Sequence, residues 1–306
     1  MEEQDRRRWS QRQRFEFIEW KLIWEGLLNR SDLEETFGIS TPQASLDLRM
    51  YREVAGENIV YDSSEKAYVP SPKVAPKFLR VSADRLLLQL RAWLTEALQR
   101  EDLWFKTIPP VDMAPDITRN VNPNCLRELL GAIRARKGLQ IHYQSLTNTR
   151  WRTIAPHALA FDGSRWHVRA WACDREEFRD FVISRIDEIG ETCEVGYDPQ
   201  DDVEWSTRAT LKLRSHPRLG EAQKRAIDRD YAMTSGYREI EVRLSMVYYF
   251  IRRMNLDLVD LPPERVQLWV ENLSEIEEAV QAAKDESKAR VAERRHRSVL
   301  TQSRSK

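Results

Sequence analysis

Cationic and aromatic side chains alternate along one short stretch of the sequence, between Arg165 and Trp171. Because successive strand side chains point to opposite faces, Arg165, His167 and Arg169 share one face of a predicted strand, and the opposite face is apolar. Guanidinium groups form paired hydrogen bonds with phosphate oxygens, and aromatic rings stack on bases. The pattern favours a surface for a planar anion; the alternative is that the arginines only solvate an exposed sheet face.

The segment around this strand, residues 139–189, is an island of short alternating strands in a mainly helical chain. Its motifs, in order, are Tyr143-x-Ser145, Arg152, Pro156-His157-x-Leu159, Gly163-x-x-Trp166-His167-Val168 and Phe181-x-x-Ser184-Arg185-Ile186. These motifs resemble a WYL domain, although Trp166-His167-Val168 stands where the family has its Trp-Tyr-Leu triplet. The resemblance implies a small Sm-like or SH3-like β-barrel that senses a ligand, in some members a nucleotide or single-stranded nucleic acid.

The resemblance and the strand pattern together predict a site for an anionic ligand. Arg152, His167 and Arg185 are carried over from the family motifs, whereas Arg165 and Arg169 follow from the alternation. The predicted ligand-binding residues are Tyr143, Ser145, Arg152, His157, Arg165, His167, Arg169 and Arg185.

The amino-terminal pattern predicts a winged helix-turn-helix. Ser31 with Glu34 indicates a capping box, and Ser40 followed by Pro42 indicates the start of another helix. The predicted elements are a helix from Trp9 to Trp24, a helix from Ser31 to Phe37, a helix from Ser40 to Tyr51, and a hairpin with strands Ile59–Tyr61 and Ala67–Val69.

The third of these helices is the predicted recognition helix. Burial of Ala44 and Leu48 would leave its other side exposed, where Gln43 could pair with adenine and arginines could hold phosphates. Acidic neighbours such as Asp47 would weaken the positive field. The predicted DNA-binding residues are Ser40, Thr41, Gln43, Ser45, Arg49, Arg52 and Lys66.

Beyond the hairpin, a proline-rich connector leads to a predicted helix over Ser82–Leu98. Its apolar stripe is expected to pack against the WYL domain or the same helix of a second subunit. An acidic loop is predicted at Asp198–Asp202, followed by alternating strands and helices that are typical of a small α+β domain. This order resembles the dimerising extension of WYL proteins. The basic tail Arg294–Lys306 is expected to fray.

The predicted fold class is therefore a multidomain α+β protein. Its predicted domains are a winged helix-turn-helix at 1–78, a helical linker at 79–137, a WYL ligand-sensing domain at 138–204, and a C-terminal α+β dimerisation domain with the basic tail at 205–306.

Composition excludes several classes of function. The 49 basic and 49 acidic residues balance, so any nucleic-acid contact has to come from local patches. The 3 cysteines form no CxxC pair, and the sequence has no glycine-rich phosphate loop, HExxH or GxSxG. We therefore expect no metal, no cofactor and no enzyme activity. No apolar leader or membrane-length segment occurs, which predicts a cytoplasmic protein without membrane contact.

The order of motifs along the whole chain resembles the WYL repressors found beside bacterial phage-defence operons. That resemblance implies a homodimer that binds a double-stranded inverted-repeat operator until a nucleotide or single-stranded nucleic-acid effector releases it. Two alternatives are a ligand-dependent activator and a nucleic-acid-binding accessory subunit with a structural helix-turn-helix. In the repressor interpretation, Arg169→Ala is expected to block induction and leave operator binding intact.

Overall fold

A computed structural model of the protein describes residues 2–115, 117, 119–258 and 260–304. Contacts divide the chain into two compact units, residues 1–117 and residues 118–306. The segment predicted as a helical linker thus divides between them. In the described part of the chain, no helix combines the length and apolar character needed to cross a bilayer.

The first unit has the element order of a winged helix-turn-helix, as predicted. Its first helix continues through a π-helical turn, Lys21–Glu25, and stops at Gly26, whose φ of 72° favours glycine. The remaining elements are α1 Glu2–Trp20, α2 Arg30–Phe37, α3 Thr41–Ala55, β1 Ile59–Asp62, β2 Ala67–Pro70 and α4 Ala83–Leu94.

The starts of α2 and α3 differ in detail from the predicted caps. Asn29 is the N-cap of α2, and its backbone N–H donates to the buried Asp32 carboxylate at 2.7 Å, so Ser31 lies inside the first turn. Ser40 is the N-cap of α3 but makes no side-chain capping bond. Pro42 in the first turn favours this helix start, because the missing N–H would have no partner there.

The apolar stripe of α4 is covered inside the first unit. Leu90 packs in a cluster with Trp20, Leu79 and Phe105. Leu87 and Leu88, on the other side of the helix, are 60% and 63% exposed.

A buried carboxylate fixes the chain that follows the hairpin. Glu19, on α1, is fully buried and accepts backbone N–H bonds from Lys77, Phe78 and Leu79 at 2.6–2.7 Å. It also accepts from the Tyr51 hydroxyl on α3 at 3.2 Å. Burial, with the Glu19 charge beside it, raises the pKa of Tyr51, so this hydroxyl stays protonated and donates. One side chain thereby connects α1, α3 and the connector.

The second unit begins with a helix and a five-stranded antiparallel sheet of order β6-β5-β4-β3-β7. The expected barrel is not closed, because no pairing joins its edge strands β6 and β7 in the described residues. Leu129 on the helix packs against Ile141, Ile154 and Val168 on one face of the sheet. The elements are α5 Pro123–Ala135, β3 Gly138–Gln144, β4 Thr149–Phe161, β5 Trp166–Ala172, β6 Glu177–Val182 and β7 Ile186–Cys193.

A second sheet of order β10-β8-β9 forms the rest of this unit with its helices, in the predicted α+β arrangement. The last helix continues to Arg304, and Arg294 forms an ion pair with buried Asp201 at 2.8 Å, so the predicted fraying from Arg294 is wrong. The elements are α6 Val203–Ser206, β8 Arg208–Ser215, α7 Glu221–Asp230, β9 Arg238–Arg243, α8 Val247–Arg253, α9 Pro263–Val266, β10 Leu268–Val270 and α10 Leu273–Arg304.

Glu19→Ala should lower the free energy of unfolding of the first unit by roughly 2 to 4 kcal/mol, because it leaves three backbone N–H donors, that of Leu79 buried and those of Lys77 and Phe78 partly buried, without their acceptor. Chemical denaturation of full-length protein measures this loss. Glu16→Ala, on the same helix, is the matched control, since Glu16 forms its ion pair with the exposed Arg85. Equal losses for both variants would contradict the anchoring role of Glu19.

Candidate functional site

The exposed side of α3 is a polar and basic stripe. Thr41, Ser45, Arg49 and Arg52 are exposed and lie three or four positions apart, so they share one side of the helix. The opposite side carries Ala44, Leu48 and Tyr51 into the core, as predicted. The helix-turn-helix therefore presents the predicted residues to solvent in the orientation that a recognition helix requires.

A groove of about 820 Å³ lies between α2, α3 and the hairpin. Four of the predicted DNA-binding residues line it, and Lys66 does so from the hairpin turn, where its φ is 52°. Ser40, Thr41 and Gln43 do not line the groove. The predicted residues that do line the groove are Ser45, Arg49, Arg52 and Lys66.

Two groove residues that could contact DNA were not among those predicted from the sequence. Arg30, at the start of α2, donates to the Ser45 hydroxyl at 3.5 Å, and Tyr61 lines the groove from β1. The available sequence signal was the position of Arg30 at the start of the helix that precedes the turn. The alternation of β1 could have indicated the outward direction of Tyr61.

Asp47 does not weaken the field of this surface in the way that its sequence position predicted. Its side chain is fully buried and accepts from the Arg14 guanidinium at 2.6 and 3.2 Å. The Gln43 amide also donates to Asp47, at 3.1 Å, and Gln43 is half-buried. The carboxylate thus fixes α3 on α1 and holds the Gln43 side chain along the helix.

In the second unit, the strand face that carries Arg169 is covered. Trp171 and Phe178 pack in a cluster with Val291 of α10, so this side of the sheet is an internal contact. Arg169 is 3% exposed. The expectation that this face is open to an anion is therefore wrong.

Arg169 is surrounded by carboxylates. Its guanidinium donates to Asp202 at 2.8 and 3.0 Å, to Glu204 at 2.9 Å and to Asp180 at 3.5 Å. His157 forms a further bond with Asp202 at 2.9 Å. The predicted acidic loop at Asp198–Asp202 is thus partly an interior segment, and it supplies the counter-charge of the predicted cationic face.

One guanidinium cannot neutralise three buried carboxylates equally. Burial opposes ionisation of Asp202, but the bonds from His157 and Arg169 outweigh it and lower its pKa. Burial raises the pKa of Glu204 and of Asp180, and the attraction of Arg169 offsets it only in part. Of the three carboxylates, Asp202 is the one whose ionised form these contacts stabilise.

Arg165 and His167 bind the Asp162 carboxylate at 3.0 and 2.9 Å. Burial alone would raise the pKa of Asp162, but bonds from His167, from two backbone N–H groups and from Arg165 lower it to about 2. The His167 ring also lies 4.8 Å from the ring of Tyr249 on α8. These contacts fix the β4–β5 turn instead of leaving a free cationic pair.

Arg152 lies in a different environment, on the face that continues the core of the sheet. It pairs with Asp174 at 2.8 Å, and Arg150 binds the same carboxylate. Burial lowers the pKa of Arg152, Asp174 raises it, and the charges of Arg150, Arg175 and Arg179 lower it further. We call Arg150, Arg152, Arg175 and Arg179 the arginine cluster.

The arginine cluster has more cations than carboxylates: Asp174 binds Arg150 and Arg152, and Glu177 pairs with Arg179 at 3.3 Å. Arg152 is 8% exposed in its side chain, and its Nε has no hydrogen-bond partner in the described part of the protein. A buried guanidinium donor without an acceptor is costly, so an anionic group at this position would be stabilised.

The remaining predicted ligand residues have structural contacts. The Tyr143 hydroxyl accepts from the Val182 backbone N–H at 3.2 Å. The Ser145 hydroxyl accepts from the N–H of Asn148 at 2.9 Å and so closes the β3–β4 turn. Arg185 is half-buried in the short helical turn between β6 and β7.

Comparisons with known proteins match all three regions of the chain. Residues 10–92 match the winged helix-turn-helix domain of the BrxR transcriptional regulator, and residues 124–190 match the WYL domain. Residues 208–276 match the C-terminal dimerization domain of the BrxR transcriptional regulator.

Full-length relatives agree with these domains. The chain is 35% identical to the DNA-binding transcriptional repressor CapW of Stenotrophomonas maltophilia, over 91% of this chain and 95% of that protein. It is 36% identical to CapW of Escherichia coli strain KTE188, over 88% and 91% of the two chains. The chain belongs to the CapW family of repressors. CapW of Pseudomonas aeruginosa is also 36% identical, over 90% of this chain and 93% of its own length.

Arg169→Ala should destabilise the second unit of this CapW-family chain by about 3 to 5 kcal/mol, because it leaves buried carboxylates without their cation. This expectation replaces a selective loss of induction. Chemical denaturation is the measurement. Arg165→Ala is the control on the same strand, since Arg165 is 34% exposed and binds one carboxylate. A small, equal effect of both changes would show that the Arg169 network does not stabilise the unit.

Proposed function

We propose that this protein is a homodimeric repressor that binds an inverted-repeat operator and is released by a nucleotide or single-stranded nucleic acid at its WYL domain. The observation that carries the proposal is the exposed stripe of α3 beside a basic groove. The C-terminal match to a dimerization domain supports the dimer. A two-fold dimer presents two recognition helices, and therefore favours a palindromic site.

The DNA contacts divide into two groups. Arg30, Arg49, Arg52 and Lys66 surround the groove and would hold phosphates, which fixes register but reads no sequence. Thr41, Ser45 and Gln43 lie at the start of α3 and would reach base edges in the major groove. Since the Gln43 amide already donates to Asp47, base reading by Gln43 requires that this bond be exchanged.

For the effector, the arginine cluster is the part of the WYL domain best suited to an anion. Arg152 was predicted from the family motif; its neighbours are Arg150, which shares the Asp174 carboxylate, Arg175, and Arg179, which pairs with Glu177. The predicted Arg165, His167 and Arg169 are already bound by carboxylates. An effector phosphate at the cluster would replace or share Asp174, and guanidinium forks match phosphate oxygens.

The regulated genes are proposed from the family alone. The whole-chain resemblance to WYL repressors beside phage-defence operons supports control of such an operon. A nucleotide or nucleic acid would release the repressor only if it binds one of the protein's two states more tightly than the other.

Arg49→Ala should weaken binding to the protein's own upstream DNA and to scrambled DNA alike, and should make the salt dependence shallower by about one phosphate contact.

Gln43→Ala should lose roughly 1 to 3 kcal/mol of binding free energy on the upstream DNA alone. Fluorescence anisotropy across a salt series separates these effects. Arg80→Ala, an exposed arginine outside the groove, should match the wild type. Equal losses on both duplexes for Gln43→Ala would remove it from base recognition.

Arg152→Ala should retain operator affinity but no longer be released by short 5′-phosphorylated oligonucleotides or mononucleotides, because the anion loses its main buried donor. Mobility-shift titrations measure release. Arg208→Ala, which removes an exposed charge from the same unit, should be released normally. If Arg152→Ala is still released by oligonucleotides, they act by competing for the α3 surface, and the effector proposal fails while the operator proposal stands.

A further inference from the structure

The second unit contains a cavity that borders one member of the arginine cluster, Arg179. Its volume is about 640 Å³, within the roughly 300 to 1,000 Å³ that small-molecule sites usually have. Strand β6, helix α8 and helix α10 form its walls, so the WYL sheet and the C-terminal domain both contribute to it. Its apolar lining includes Phe178, Leu244, Val247, Ile251 and Val280.

Two residues that line this cavity each have a buried polar atom without a hydrogen-bond partner in the described residues. The Ser245 hydroxyl belongs to a residue that is 7% exposed, and nothing in the described residues bonds to it. Asp180 is 10% exposed in its side chain; its Oδ2 accepts from Tyr249 at 3.1 Å and Arg169 at 3.5 Å, but its Oδ1 has no partner. Unpaired polar atoms at this depth are rare in folded proteins, because they forfeit their hydration without return.

The edge of the cavity is basic, in contrast to its apolar lining. Lys284 and Lys288 lie one turn apart on α10, both exposed, and no carboxylate in the described residues forms an ion pair with either. Tyr248 presents an exposed ring on the same edge, 59% accessible. An anionic group at this edge would therefore meet the two ammonium groups.

We propose that this cavity binds a planar heteroaromatic molecule that carries an N–H donor and an anionic group, which is the chemistry of a nucleoside monophosphate. The ring lies on the apolar wall, its N–H donates to Asp180 Oδ1, Ser245 bonds to a second polar atom of the ring, and the phosphate meets Lys284 and Lys288. The cavity and the arginine cluster share Arg179, but none of the proposed contacts uses it, so the inference does not depend on the effector proposal.

Binding in this cavity would favour the docked arrangement of the WYL sheet and the C-terminal domain. Both contribute contacts, through Asp180 on β6 and Ser245 before α8. A ligand that contacts both the WYL sheet and the C-terminal domain stabilises their docked arrangement by mass action. The stabilisation increases as the ligand concentration exceeds the Kd.

The test is isothermal titration calorimetry of purified full-length protein with each of the common nucleoside monophosphates, with the matching nucleosides, and with inorganic phosphate alone. At least one monophosphate should bind, its nucleoside more weakly, and phosphate alone not measurably. Ser245→Ala is the cleanest variant, since it removes a hydroxyl that bonds to nothing. It should keep the thermal stability of the wild type and weaken binding about tenfold.

Lys284→Ala should weaken monophosphate binding about fivefold and reduce its salt dependence, with little effect on the nucleoside. Arg290→Ala is the matched control, because Arg290 lies on the same helix, pairs with Glu286 and does not line the cavity. No binding of any monophosphate at millimolar concentration would overturn the proposal. Unchanged binding in Ser245→Ala and Lys284→Ala, with loss in Arg152→Ala, would place the nucleotide at the arginine cluster and overturn it equally.

Discussion

The second unit depends on one buried carboxylate, Asp202. It accepts two bonds from Arg169 and one from His157, both on the WYL sheet, and caps α6 by accepting from the Trp205 N–H at 3.1 Å. The sheet and the first turn of the C-terminal domain are therefore held by a single side chain that is fully buried. Such a group stabilises only when every bond is made, so the chain after the WYL sheet has little freedom in its path.

This constraint determines which parts of the WYL sheet remain available to a ligand. One face is filled by the packing of α5, and the other is covered by α6, α8 and α10 around Arg169, Trp171 and Phe178. What remains accessible is the end of the core face, where Arg152 and its neighbouring arginines lie, and the cavity beside α8 and α10. Both contain a buried polar atom without a partner, Arg152 Nε in one and Asp180 Oδ1 in the other.

The elements were largely predictable because their signals are local. The buried stripe of α3, the hairpin and the strand–helix order of the C-terminal domain all follow from periodicity and caps. The roles of Asp47, Glu19 and Asp202 were not predictable, because their partners lie 33, 60 and 33 positions away in the sequence. A strand of alternating arginines looks the same in sequence whether its counter-charge is a ligand or a carboxylate of the same chain.

Family motifs and strand alternation selected residues whose surroundings in the structure differ. Alternation identifies a face but not what covers it, and it selected Arg165 and Arg169, whose charges Asp162, Asp202 and Glu204 bind. The motifs selected Arg152, His167 and Arg185; His167 is bound by Asp162, whereas Arg152 shares Asp174 with Arg150 and lies among like charges. Like charges held together in a folded protein raise its free energy unless an anion relieves them. An anion bound at the arginine cluster would relieve part of that repulsion and so stabilise the protein.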